Sequence, residues 1–160
     1  MNASMKIAGA LFAAWAGLAW AGDADIRHGR YLIQTSGCND CHTSGYMQKD
    51  GNVPETEWLT GDAMGWQGPW GTTYPANLRL LFSQIDEKTW LARARQPMRL
   101  PMPSPSLRAM SDADLRAIYR YVRSLEVKGQ AAPAYVPPGG KVATPYLDLT
   151  PKNLPEMAGK

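Results

Sequence analysis

Cysteine and histidine are scarce in these 160 residues: two cysteines, Cys38 and Cys41, and two histidines, His28 and His42. A zinc site needs four ligands, and these are the whole Cys/His supply. Long apolar runs are also missing. The uncharged stretch Ile7 to Ala21 is shorter than the ~18–20 residues that cross a bilayer. Acidic side chains are absent from Lys88 to Arg108, a segment that holds five basic ones. The formal net charge is only +3, which excludes nucleic acid as an expected partner.

What is present is Cys38-Asn39-Asp40-Cys41-His42, the C-x-x-C-H pattern of covalent haem attachment. Two thiols three positions apart can add across the two vinyl groups of a haem. The histidine that follows reaches the iron from the proximal side. A plain disulfide or a thiol-exchange site is the competing reading. Thiol exchange of the thioredoxin kind would need a strand before the motif and a βαβ pattern around it, and neither is visible.

Lys6, the uncharged run after it and Ala19-Trp20-Ala21 read as a secretory signal peptide with its cleavage site, residues 1–21. Haem c is attached outside the bacterial inner membrane, so export and the motif support each other. The expected location is the periplasm, with no stable membrane insertion after cleavage. Loss of Lys6 lowers the net charge to +2, and residues 22–160 suffice for one small domain.

A first helix is expected over Asp25–Ser36, with Ile26, Gly29, Leu32 and Ile33 on one face. Glycine inside a helix costs about 1 kcal/mol relative to alanine, so Gly29 is either merely tolerated or marks close approach of another helix. Residues 43–82 are rich in Gly and Pro and are expected to hold little regular structure. Trp58, Trp66, Trp70 and Tyr74 are concentrated there. Such a loop either covers a haem or folds on itself through its Trp residues, and the two are compatible. A helix at about Asp86–Arg95 has Asp86 or Ser83 as its N-cap. Gln96 to Ser106, with four prolines, is expected to be extended. A last helix opens at Ser111 with Asp114 three residues on, buries Leu115, Ile118, Val122 and Leu125, and ends at Gly129. The domain boundaries are therefore 22–129 for the core and 130–160 for a proline-rich extension. Tyr135, Val136, Tyr146, Leu147 and Leu149 make that extension too apolar to be fully solvated, so partial docking is expected.

A haem iron has a second axial position. His28 lies on the helix that feeds the motif and would have to reach the opposite face. Methionine suits low-spin iron better and raises its potential. Met102, in Leu100-Pro101-Met102-Pro103, sits in a loop stiffened by proline on both sides; Met98 and Met110 are the alternatives.

With these features placed, residues 25–125 resemble the class I c-type cytochromes. The resemblance implies an all-α fold of three to four helices around one covalent haem c. It implies a contact between Gly29 and an aromatic of the last helix, Tyr121 or Tyr119. The stretch Gly68-Pro69-Trp70-Gly71-Thr72-Thr73-Tyr74-Pro75-Ala76-Asn77-Leu78 is similar to haem domains of cytochrome subunits that serve periplasmic alcohol and sugar dehydrogenases. That likeness puts Trp70, Tyr74 and Asn77 in the haem pocket. Those subunits commonly continue with Thr-Pro-Asp and often carry three haem motifs; this chain continues Arg79-Leu80-Leu81 and carries one.

The function implied is one-electron transfer, not enzymatic turnover. His42 and Met102 would be the iron ligands. Redox proteins would be the partners: a donor dehydrogenase, and an acceptor cytochrome or oxidase. Two alternatives belong to other classes. One is a five-coordinate haem protein that binds a small ligand; the other is a non-catalytic dehydrogenase subunit clamped by its proline-rich tail.

Overall fold

The computed structural model describes residues 22–153; the expected signal peptide lies outside them. Among the described residues there are six α-helices and one small three-stranded sheet. None of the described helices is long and apolar enough to cross a membrane. The class is mostly helical, as expected, with more helices than the three to four anticipated and with a sheet added.

Helix α1 covers 22–35. It places Ile33 fully inside and Gly29 against α6, Asp112–Ser124. A Cβ on Gly29 would collide with the Ala117 carbonyl and stand 2.8 Å from Tyr121 Cβ. The crossing is therefore open only to glycine, and Tyr121 is the aromatic that meets it. Tyr119 faces elsewhere, stacked on Phe82 and donating its hydroxyl to Ile85 O at 2.9 Å.

Helix α6 begins as its sequence dictates. Ser111 Oγ accepts from Asp114 N, and the Asp114 carboxylate accepts from Ser111 N, a complete capping box. Leu115, Ile118 and Val122 form its buried stripe, joined by Ala117 and Tyr121. The helix stops at Ser124, five residues before Gly129. Gly129 instead takes a left-handed φ of 81° in the segment that leaves the domain.

Helix α4, Glu87–Ala94, is capped by Asp86, whose carboxylate accepts from Thr89 N at 2.8 Å. Ser83 lies inside a helix that the glycine count had hidden: α3, Leu78–Gln84, capped by Asn77. Leu78, Leu81, Phe82 and Ile85 repeat at helical spacing and pack inward. Phe82 meets Trp90 at 4.7 Å between ring centres, and Trp90 donates to Leu115 O at 2.8 Å. These contacts lock α3 and α4 onto α6.

The segment expected to be extended through Ser106 contains helix α5, Ser104–Ala109. Pro105 sits in its first turn, where a backbone N–H has no helical partner to lose, so proline is tolerated there. Within 43–82 the chain also forms an antiparallel hairpin of β1, Gly65–Gly68, and β2, Gly71–Thr73. The extension docks on both sides of it. Thr72 and Val136 exchange backbone hydrogen bonds at 2.8 and 3.0 Å, and β3, Tyr146–Asp148, adds parallel to β1.

Candidate functional site

Gly37, at φ 70°, ends α1 and turns the chain directly into α2, Cys38–His42. One helical turn therefore carries both thiols and the histidine. Cys38 and Cys41 are free and half-buried. Burial pushes the Cys38 thiol up to about 11, helped by nearby Asp40 and opposed by a backbone hydrogen bond. Burial raises the Cys41 thiol as well. A thiol-exchange cysteine needs the opposite, an electropositive setting that favours thiolate. Among the described residues, no three His, Cys, Asp or Glu side chains group to hold a metal, so the zinc reading has no site there.

The motif helix is held from below. Thr43 Oγ1 donates to Asn39 Oδ1 at 2.7 Å and accepts from Leu59 N at 2.8 Å. Gly61 N donates to His42 O at 2.8 Å. The imidazole itself is oriented by Ala76: His42 Nδ1 lies 2.7 Å from the Ala76 carbonyl. A carbonyl can only accept, so Nδ1 carries the proton and Nε2 keeps a lone pair. Burial lowers the His42 pKa, with the Ala76 hydrogen bond opposing it. The half-buried ring is thus suited to act as a neutral ligand through Nε2, with its tautomer set by Ala76.

Asn77, next to Ala76, is buried, and its amide is fully committed. Its Oδ1 caps α3 through Leu80 N, and its Nδ2 donates to Lys128 O at 2.8 Å and to Gln130 O at 3.3 Å. It fixes the backbone that holds His42. Tyr74 is half-buried with its hydroxyl 2.8 Å from Thr144 Oγ1. Trp58 has left the loop for the core: it is buried, donates to Val53 O, and carries Arg30 over its ring at 5.1 Å.

Met102 packs half-buried against the core, as do Met98 and Met110. Its loop turns back on itself, with Met102 N donating to Arg99 O and Ser104 N to Met102 O. Ser104, buried, accepts from Met98 N through its hydroxyl at 2.8 Å. His28 is on the outer face of α1, paired with Asp114 at 2.8 Å and far from any ligand role.

Two buried donors of the hairpin have no partner: Trp70 Nε1 and Thr72 Oγ1. Unpaired buried donors are rare and call for an acceptor. Haem brings two propionate carboxylates, and these donors suit them. Together with paired thiols, a neutral imidazole and a thioether, they make a donor set that fits a covalent haem. The Thr72 hydroxyl had no sequence signal; only its burial without a partner reveals it. Two surface clefts among the described residues, one beside Asp40 and Asp50 and one beside Glu55 and Arg79, are lined by neither His42 nor Met102.

The family model described as Cytochrome c matches residues 26–126. No curated protein and no solved structure matches the chain.

Proposed function

The chain belongs to the cytochrome c family, and we propose that it is a periplasmic one-electron carrier. It takes electrons from a dehydrogenase and passes them to an acceptor cytochrome or oxidase. The family carries covalent haem c, and Cys38 and Cys41 occupy its attachment motif. Bound haem supplies one-electron chemistry, Fe(III) to Fe(II) and back. His42 and Met102 would be the two axial ligands. Cys38 and Cys41 tether the group, α2 fixes their spacing, and Ala76 aims the imidazole. Trp70 and Thr72 offer their unpaired donors to its carboxylates.

The observation that carries this reading is the hydrogen bond from His42 Nδ1 to Ala76 O at 2.7 Å, directly beside the paired thiols. It leaves the Nε2 lone pair of a half-buried, neutral ring available to a metal. With both His42 and Met102 holding the iron, no open coordination site would remain, which would favour a carrier over a protein that binds small ligands. The tail's pairing with the chain's own hairpin, through Val136 and β3, argues against its acting as a clamp on a dehydrogenase.

Two measurements test this. Haem should stay with the chain through denaturing acid–acetone extraction, and Cys38→Ala with Cys41→Ala should abolish its retention. Met102→Ala should lose the near-infrared Fe(III)–thioether band, bind cyanide readily and show a lower potential, because a thioether favours Fe(II). Haem that extracts from the wild-type protein would end the reading. A band lost in Met98→Ala but kept in Met102→Ala would move the ligand to Met98.

A further inference from the structure

The loop that carries Met102 rests Met98 and Met102 on the core by apolar packing. Its hydrogen bonds through Ser104 and Arg99 are internal, and Leu100 is 54 % exposed. Its outer ties come from the hairpin and from the extension after α6. Thr73, the last residue of β2, donates its hydroxyl to Leu100 O at 2.7 Å. Tyr135 lies under the Arg99 guanidinium, 4.3 Å from the ring centre. The Tyr135 hydroxyl in turn donates to Trp70 O at 2.8 Å. Val136, the next residue, pairs with Thr72 by two backbone hydrogen bonds. Thr72 is also one of the two hairpin residues with an unpaired buried donor.

We propose that Tyr135 and Val136 form a strap that positions Met102. The strap works at two places: on Arg99 through the Tyr135 ring, and on Leu100 through Thr73, whose strand Val136 holds. It fixes the backbone two and three residues before the methionine. Apolar packing of Met98 and Met102 sets no direction for the loop backbone, and the strap adds directional contacts at Arg99 and Leu100. Thr73, Arg99 and Tyr135 are therefore positioning residues for the sixth ligand, and the extension is part of the site that it borders. The inference rests on Met102 being that ligand.

The test is the rate of cyanide binding to the ferric holoprotein, which requires the methionine to leave. Thr73→Val removes the hydroxyl and keeps the shape; Thr73→Ser restores the hydroxyl. Arg99 is exposed, so Arg99→Ala removes the ring contact and keeps the fold. Thr73→Val and Arg99→Ala should each bind cyanide several-fold faster, about threefold to tenfold for one contact of this kind. Thr73→Ser should bind at the wild-type rate. All three should retain the Fe(III)–thioether band at equilibrium. Wild-type cyanide rates in Thr73→Val and Arg99→Ala, with the band lost in Met102→Ala, would overturn the strap and leave the ligand in place. A band that survives in Met102→Ala would remove the ligand reading, and the strap with it.

Discussion

His42 and Ala76, 34 residues apart, meet at 2.7 Å, and Gly61 is what lets them. Gly61 has φ 81°, and a Cβ there would stand 2.8 Å from Asn77 N and 3.0 Å from Pro75 O. The backbone of residues 75–77 thus lies flush against Gly61, and Gly61 N holds the His42 carbonyl. A hydrogen bond that Nδ1–H gives to a carbonyl makes the imidazole a stronger donor and so favours Fe(III).

Gly61→Ala should push residues 75–77 away and weaken that bond. The midpoint potential should rise, on the order of tens of millivolts, without loss of the haem. Protein-film voltammetry of the variant would measure it. An unchanged potential would mean that Ala76 orients the ring without tuning it.

Gly29→Val should lower stability by ~1–3 kcal/mol, since a branched side chain meets the Ala117 carbonyl as well as Tyr121 Cβ. The clash is with backbone, which cannot rotate aside, so Gly29→Ala should also destabilise the protein. Thermal melts followed by circular dichroism would decide it. A melting temperature equal to wild type in both variants would show that the two helices can separate at no cost.

The motif and the capped helix α6 were legible because each is a local pattern with one physical solution, whereas the partner of Gly29 followed from the resemblance to class I c-type cytochromes. Ser111 with Asp114 specifies a helix start wherever it stands. Helix α3 was equally legible, since Asn77 precedes apolar residues at 78, 81, 82 and 85, but the glycines before it drew the eye to loop. The hairpin was not legible. β1 has glycine at both ends, and its stability comes from backbone pairing with β2 and β3, a partnership 81 residues away in sequence for Trp66 and Leu147. Asn77 was placed in the site by resemblance, and the structure gives it a different task there: it holds Ala76's neighbourhood and the exit of α6.

Asp114 links pH to stability. Its carboxyl is held below the ordinary aspartate range, first by His28 and then by Ser111. A depressed carboxyl stabilises the fold above the ordinary aspartate pKa, and that contribution is lost as pH falls through the folded value. The melting temperature should therefore drop on acidification toward pH 3, as the capping box and the His28 contact lose their charge. Asp114→Asn should lower stability at pH 7 and shallow the acid limb. If both proteins melted in parallel from pH 7 to pH 3, other carboxylates would be setting the acid response.

The basic run from Lys88 to Arg108 divides into structural and free charges, and the division sets a docking prediction. Arg95 is structural: its guanidinium donates to the carbonyls of Leu107, Arg108 and Met110 and pairs with Asp112 at 2.5 Å. It satisfies the carbonyls at the end of α5, which otherwise have no helical partner. Arg95→Glu should therefore destabilise the fold, and its effect on electron transfer would be uninterpretable. Lys88, Arg93 and Arg108 are exposed and flank the Met102 loop in sequence, whereas Arg99, also exposed, is engaged by the Tyr135 ring. They present positive charge to an acidic patch on a redox partner, which speeds encounter more than it tightens binding. Screening within a Debye length of ~8–10 Å at ordinary ionic strength should make the second-order rate fall as salt rises. Arg93→Glu with Arg108→Glu should lower that rate at low salt and flatten the salt dependence, with the spectrum and melting temperature kept. Stopped-flow measurement against the native donor would read both. A rate indifferent to salt in the wild-type protein would assign docking to apolar contacts, with the exposed Leu100 beside the ligand loop as the first residue to test.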